Sequence, residues 1–217
     1  MSINPREIPT GAVRYNTDSN KMEVYIGSTW MEVSVTHEAS PIAGRGIWGG
    51  GLQGPYADPA PYSTNIIDMV TIQTKGDSVD FGDMQSPRHT FATGSNSTRG
   101  MIGGGRTPDT ASGINTIDFI TIATLGDAID FGDLSTPIGD YHQGAASPTR
   151  GVMMGGLYSG PTYTAEIDYV TIATTGNALD FGNTTQARAV GSGGGSVTRA
   201  LSAGGITPSQ VDTIDYI

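Results

Sequence analysis

The sequence predicts an all-β protein: a short N-terminal β-meander followed by repeated sheets of β-propeller type. Three observations carry this. The phrase Ile117-Asp118-Phe119-Ile120-Thr121-Ile122-Ala123-Thr124-Leu125-Gly126-Asp127-Ala128-Ile129-Asp130-Phe131-Gly132-Asp133 recurs from Ile67 to Asp83 and from Ile167 to Asn183, at a period of about 50 residues. Self-similarity at such a period marks a repeat array or a propeller. Within each copy, β-branched and aromatic residues gather in runs of strand length bounded by turn formers. The 32 glycines and 12 prolines among 217 residues then supply the turns between many short strands.

Composition narrows the classes. Charged residues make up 15% of the chain and the formal charge is -10. Low charge with high glycine also suits disorder, but disorder does not repeat a β-branched phrase in register. An acidic balance without a basic stripe argues against nucleic acid as a partner, because phosphates need cations to neutralise them. No apolar run approaches the roughly 20 residues of a spanning helix, so no membrane insertion is expected. Met1 to Arg6 lacks the apolar core and cleavage pattern of a signal peptide. The absence of cysteine excludes disulfides and thiolate metal sites and fits assembly in a reducing cytoplasm.

Residues 1–11 contain Pro5 and Pro9 and show no hydrophobic periodicity. They read as an extended arm, either loose or docked on a partner. Residues 12–35 change character. Ala12-Val13-Arg14-Tyr15 and Met22-Glu23-Val24-Tyr25-Ile26 flank the turn-rich Asn16-Thr17-Asp18-Ser19-Asn20, and Gly27-Ser28 leads into Thr29-Trp30-Met31-Glu32-Val33. Alternation puts Val13 with Tyr15 on one face of the first strand, and Met22, Val24 and Ile26 on one face of the second. So small a sheet needs a neighbour to lie on. Residues 36–44, with Pro41 and Gly44, read as a linker.

The stretch Gly11 to Tyr25, followed by Gly27-Ser28-Thr29-Trp30, resembles a short module of bacteriophage virion proteins with the pattern G-x-hydrophobic-R-Y-N-T-D-x-x-x-x-E-x-Y and a closing tryptophan. The resemblance implies a virion structural protein whose N-terminus attaches to the particle. Pro5, Pro9, Tyr15, Tyr25 and Trp30 are the candidate attachment residues. Any small β-hairpin is the bland alternative.

From residue 45 each repeat opens on an apolar strand ending in glycines: Arg45 to Gly51, Arg99 to Gly105, Arg150 to Gly156, and Arg199 to Gly205. A polar, proline-containing loop follows, then the Ile-Asp-aromatic strand, with Met69 in the aromatic place in the first copy. Gly76-Asp77, Gly126-Asp127 and Gly176-Asn177 read as tight hairpin turns. The return strand ends in Asp-Phe-Gly. Sequence repeats therefore run over 45–98, 99–149, 150–198 and, in part, 199–217. The run Gly191-Ser192-Gly193-Gly194-Gly195-Ser196 has the composition of a flexible spacer. Its fixed distance from Asp180 and Arg199 makes it instead a strand, the fourth of a blade or the approach to one.

Residues 45–217 resemble kelch-type β-propellers, in which a strand ending in Gly-Gly leads into a hairpin. The tryptophan usual in the later kelch strand is absent, and Phe81, Phe131 and Phe181 take its packing place, which makes the repeats divergent. Propellers have four to eight blades, whereas about 3.4 repeats are present and the fourth reaches only Ile217. Three explanations stand: a longer natural protein, copies that complete one another in an oligomer, or an open array capped by a partner. Threefold association is implied by the resemblance to fibre proteins alone.

Candidate chemistry is sparse. Asp-Phe-Gly occurs in kinases, but here it repeats at a fixed period without a phosphate loop or catalytic loop. Asp80 with Asp83, and Asp130 with Asp133, offer two carboxylates where calcium takes six to eight oxygens. They are expected to bond their own turns. Asp68, Asp118, Asp168 and Asp215 lie inside strands, where aspartate is disfavoured. Ion pairs with the recurring Arg45, Arg99, Arg150 and Arg199 would account for them. His37, His89 and His142 fall at unrelated repeat positions, and no Ser-His-Asp spacing appears. Tyr56, Tyr62, Tyr158 and Tyr163 sit in the variable loops, where they either stack on a ligand or pack the rim.

The expectation is a phage virion structural protein of fibre or decoration type, not an enzyme, without cofactor or metal. Its partners would be other virion proteins, further copies of itself, and a host-surface glycan or protein. Alternatives are a propeller enzyme acting on glycans, which needs carboxylates converging in one cleft, and a kelch interaction adaptor.

Overall fold

The computed structural model describes residues 8–33, 44–53, 62–108, 113–158 and 162–217. Every regular element among them is a β-strand, so the protein is all-β. The chain divides into two units, residues 1–41 and 42–217.

The first unit is a three-stranded antiparallel meander of β1 (Val13–Asn16), β2 (Lys21–Ile26) and β3 (Thr29–Glu32). Pairing of Val13 with Val24, Tyr15 with Met22 and Val24 with Met31 sets the register. Because paired residues share a side, Val13, Tyr15, Met22, Val24, Ile26 and Met31 form one apolar face. Arg14, Asn16, Glu23, Tyr25, Trp30 and Glu32 form the other.

The second unit is a series of antiparallel sheets. The first holds β4 (Arg45–Gly49), β7 (Ile66–Thr71) and β8 (Val79–Asp83), with a small pair β5 (Leu52–Gln53) and β6 (Tyr62–Ser63) beside it. The second runs through β9 (Ala92–Ser95), β10 (Arg99–Gly103), β11 (Ile114–Thr121) and β12 (Ile129–Ile138). The third follows with β13 (Gln143–Ala146), β14 (Arg150–Met154), β15 (Glu166–Thr171) and β16 (Leu179–Asn183). The fourth holds β17 (Ser192–Gly195), β18 (Ala200–Ala203) and β19 (Ile214–Tyr216). Among the described residues no barrel closes, and the series has the arrangement of an incomplete propeller.

A four-stranded sheet thus begins several residues before the arginine that opens each sequence repeat. The glycine run near 191–196 supplies β17, the first strand of its sheet. Its composition follows from close backbone approach: a Cβ on Gly193 would lie 2.3 Å from the Gly144 carbonyl oxygen of β13. Neighbouring inner strands leave no room there for a side chain.

The core lies between sheets. Ile67, Phe81 and Met84 of the first pack with Ile102, Ile120 and Ala128 of the second. Met101, Ile117, Phe119 and Phe131 of the second pack with Met153, Val170, Ile172 and Ala178 of the third. Ala145, Val152, Met154 and Ile167 of the third meet Ala200 and Ile217 of the fourth. A lone sheet would leave these faces in water, which is why the fold is a repeat array.

The Asp-Phe-Gly phrase encodes a β-bulge. Ile117 pairs with Gly132 but Asp118 pairs with Asp130, so Phe131 is the extra residue, and the first and third sheets repeat the irregularity. The bulge is also the seat of the next sheet. The Gly126 N–H donates to the Phe81 carbonyl (2.8 Å), the Ala128 N–H to the Asp83 carbonyl (2.8 Å), and the Asp83 N–H to Asp127 Oδ1 (3.0 Å). One step on, Gly176, Ala178 and Asn177 make the same bonds to Phe131 and Asp133, at 2.7, 2.8 and 3.1 Å.

This corrects the tight-turn expectation. The connection between β11 and β12 spans 122–128, because Gly126-Asp127 reaches out of its own sheet to clasp the one before it. The bulge glycine must be glycine: Gly132 has φ 145°, and a Cβ would fall 2.5 Å from the Gly176 carbonyl. Gly182 has nearly the same backbone, φ 134°, with nothing within 4 Å of its Cβ position. Both Gly132→Ala and Gly182→Ala incur the backbone strain, but only Gly132→Ala meets the clasp. The first is expected to cost about 1–3 kcal/mol more than the second in chemical unfolding. Equal losses would mean that the clasp gives way freely.

Candidate functional site

Two features dominate chemically: buried aspartates between sheets, and an uncovered apolar face on the meander.

Asp118 is fully buried, as is Arg88, and Arg88 Nη2 lies 2.5 Å from Asp118 Oδ2. The guanidinium also donates to the carbonyls of Gly104 (3.3 Å), Thr116 (3.1 Å) and Ile102 (3.4 Å). Burial pushes the Asp118 carboxyl above its ordinary value, while Arg88 and the Gln85 amide pull it down. Burial likewise lowers Arg88 against the opposing field of Asp118. In the fourth sheet Arg188 Nη1 bonds Asp215 at 2.8 Å, and the Thr185 hydroxyl and N–H bond the same carboxylate at 2.6 and 3.2 Å. Burial would raise Asp215, but the Thr185 hydroxyl, Arg188 and the Thr185 amide together outweigh it and hold it below the usual range. Arg188 Nη2 also reaches Ser202 Oγ (2.7 Å), which donates to Gln143 Oε1 (2.6 Å).

The middle member of this series has no arginine. Ile138 stands where Arg88 and Arg188 stand in their repeats and packs in the apolar cluster. Asp168 is held instead by Ser135, whose N–H donates at 2.8 Å and whose Oγ lies 2.9 and 2.8 Å from the two carboxylate oxygens. Burial raises its pKa, the Ser135 bonds oppose this, and Glu166 and Asp180 add to it.

The expected pairing with Arg99, Arg150 and Arg199 is therefore corrected. Arg99 pairs across from Thr121 and Asp118 from Ile102, so the pleat sends their side chains to opposite faces. Arg99, Arg150 and Arg199 lie instead over Phe119, Tyr169 and Tyr216, at 4.5, 4.7 and 5.1 Å from the ring centroids. Arg99 also donates to the Ile172 carbonyl of the next sheet at 2.7 Å, and Arg45 donates likewise to the Ile122 carbonyl. Sequence reasoning missed Arg88 and Arg188. Their equal distance from Asp80 and Asp180 was the available signal, broken by Ile138 in the middle copy.

Other expected positions fall as follows. Phe81 and Phe131 are 2% exposed, while Phe181 is 41% exposed. Asp68 is half-buried and pairs across from Asp80. Asp80 Oδ1 and Asp180 Oδ1 accept the N–H of Gly82 and Gly182 within their own turns. Among the described residues no cluster of three potential metal ligands occurs. Tyr158 is exposed and Tyr163 half-buried, and the backbone of Tyr163 bridges to Leu157. The backbone of Tyr62 pairs with Gln53. Pro5, His37 and Tyr56 lie outside the described residues, and Pro9 accepts from the Ala12 N–H at 3.0 Å.

One hydroxyl–imidazole contact does form, Ser63 Oγ to His89 Nδ1 at 2.9 Å. A triad needs a carboxylate on the other ring nitrogen. Asp140, whose charge acts on this ring, is engaged by the Thr90 hydroxyl (3.0 Å) and Arg106 (3.2 Å). Two grooves of about 360 and 380 Å³ open beside β10 and between the third and fourth sheets. Among the described residues neither is lined by a carboxylate or a histidine.

On the meander, Val13, Tyr15, Met22, Ile26, Met31 and Val33 are 41–58% exposed. The opposite face is satisfied internally. Tyr25 packs on Trp30 at 5.3 Å, Arg14 lies over Trp30 at 4.1 Å, and Arg14 bonds Glu23 at 2.7 Å. The candidate attachment residues thus split, with Tyr15 on the uncovered face and Tyr25 and Trp30 in the covered one.

No protein-family model matches the chain, and no curated protein matches it.

Two outcomes follow. Asp118→Ala strands the buried guanidinium of Arg88 and is expected to lower stability by about 3–5 kcal/mol, read as a fall in the denaturant midpoint. Burial holds His142 down at about 4, with Gly103 as its backbone partner. The fold therefore keeps His142 neutral to about pH 4, while the unfolded chain protonates it near 6.5. Stability is complete above pH 6.5 and falls as the pH drops toward 4, by at most about 3 kcal/mol. Stability curves at pH 7 and pH 4.5 should differ less in H142Q than in the parent.

Proposed function

We propose that this protein is a structural component of a bacteriophage particle, of fibre or decoration type. The meander attaches it, and the β repeats project as a scaffold or adhesion module. The observation that carries this reading is the uncovered apolar face of the meander. A contiguous apolar face on so small a sheet marks a contact surface. The Gly11-to-Trp30 pattern supports the same role, because its virion resemblance falls on the strands that build this face.

The repeats suit a scaffold. Asp118, Asp168 and Asp215 are spent on joining one sheet to the next, and none is presented to a cleft. The natural partners are other virion proteins and further copies of this chain. Tyr158 and Tyr163 are the part offered to a host-surface glycan or protein.

Met22→Glu with Met31→Glu charges the uncovered face without touching the Tyr25–Trp30 side. Incorporation into particles is expected to fall about tenfold or more, with the unfolding of the repeats unchanged. Deletion of residues 1–36 should abolish incorporation. Normal incorporation of either variant overturns the attachment role.

A further inference from the structure

The seam between the second and third sheets differs from the seams on either side of it in two ways. Its aspartate, Asp168, is held by Ser135 and not by an arginine. It also contains a histidine. His142 stands just before β13, in the place that Phe91 takes before β9 and Gly191 before β17. Phe91 packs on the glycine turn of the first sheet, where a Cβ on Gly50 would meet its ring at 2.6 Å. His142 packs in the same way on the second sheet: a Cβ on Gly104 would lie 3.3 Å from its Nδ1. On the third sheet a Cβ on Gly156 would lie 3.2 Å from its Cδ2. The place suits an apolar ring, and the preceding repeat uses one.

The imidazole brings polarity that this place does not satisfy. Its Nδ1 is buried without a hydrogen-bond partner among the described residues, and its backbone partner is Gly103. A second proton would add a donor and a charge. The carbonyls beside the ring already accept, Ile138 from the Gly105 N–H (2.8 Å) and Asp140 from the Leu157 N–H (2.8 Å). The two glycine turns carry no charge. The Asp140 carboxylate is engaged by the Thr90 hydroxyl (3.0 Å) and Arg106 (3.2 Å). An imidazolium here is buried without a counter-charge of its own.

We propose that this seam is an acid-operated joint: protonation of His142 parts the second sheet from the third, while the first and second sheets stay clasped. The ring gains water only when the seam opens, so the open form accepts the proton that the closed form refuses. Closed, the seam holds His142 at about 4, against 6.5 for a hydrated ring, so opening grows easier as the pH falls between those values. Two other groups titrate nearby. Asp168, raised by burial, keeps its proton more readily in the closed form and opposes opening. His89 is lowered by burial, but it is half-buried and bonded to Ser63 of the first sheet, so it belongs to the preceding seam. The joint stands whether or not the meander attaches to a particle.

Amide hydrogen exchange of the full chain at pH 7 and pH 5, corrected for intrinsic rates, reads the joint directly. Gly176 and Ala178 donate across it to the carbonyls of Phe131 and Asp133, as Gly126 and Ala128 do across the preceding seam to Phe81 and Asp83. Protection at Gly176 and Ala178 is expected to fall about 20-fold between pH 7 and pH 5. Gly126 and Ala128 should change by less than about threefold. His142→Phe, which installs the ring of the preceding repeat, should abolish the fall at Gly176 and Ala178. His142→Gln carries the same test if the phenylalanine variant does not fold. The joint is overturned if the two amides keep their protection at pH 5. It is overturned equally if both seams lose protection alike, or if the fall persists in a folded variant without His142.

Discussion

The whole repeat region depends on how one sheet is tied to the next. Each sheet is small, buries its apolar residues only against its neighbours, and would expose them if separated. The tie has a polar part and an apolar part that fix each other. A Gly-Asp turn bonds the bulged Asp-Phe-Gly strand before it, and a strand aspartate receives hydrogen bonds from the segment leaving that same bulge. The apolar side chains of both sheets then close over these bonds, where the low dielectric strengthens a satisfied pair and penalises an unsatisfied one.

The three successive aspartates show how much that environment tolerates. Asp118 and Asp215 meet an arginine, and Asp168 is held by Ser135, with Ile138 standing at the position the arginine takes in the other repeats. A buried ion pair and a hydroxyl bond do the same positional work. This fits the general finding that a buried pair confers geometry more dependably than net stability. It also explains why the arginines visible at each repeat start serve otherwise. They lie on the opposite pleat, Arg99, Arg150 and Arg199 over aromatic rings, and Arg45 and Arg99 reach across to a neighbouring carbonyl.

The meander follows a different logic. Its charged and aromatic face is closed by its own contacts, while its aliphatic and methionine face is exposed among the described residues. The repeats satisfy their apolar surface by repetition, whereas the meander leaves its apolar face exposed. The proposed attachment role rests on that contrast.

Much of this was legible in the chain. Periodicity and β-branched runs determined that the protein is all-β and repeated, because a recurrent local pattern must recur as local structure. Alternation alone placed Val13 with Tyr15 and Met22 with Val24. What lay beyond it was everything set by register and by neighbours. A bulge shifts which residues face each other, so Asp118 could not be matched to Arg88, thirty residues upstream in the connection between β8 and β9. The Gly126-Asp127 pair looked like a hairpin turn because its partner strand is remote in sequence. The glycine-rich β17 looked like a spacer because only the adjacent backbone of β13 shows what its missing side chains make room for. Local preference is written residue by residue, but contact between sheets is a property of their packing, and only the tertiary structure decides it.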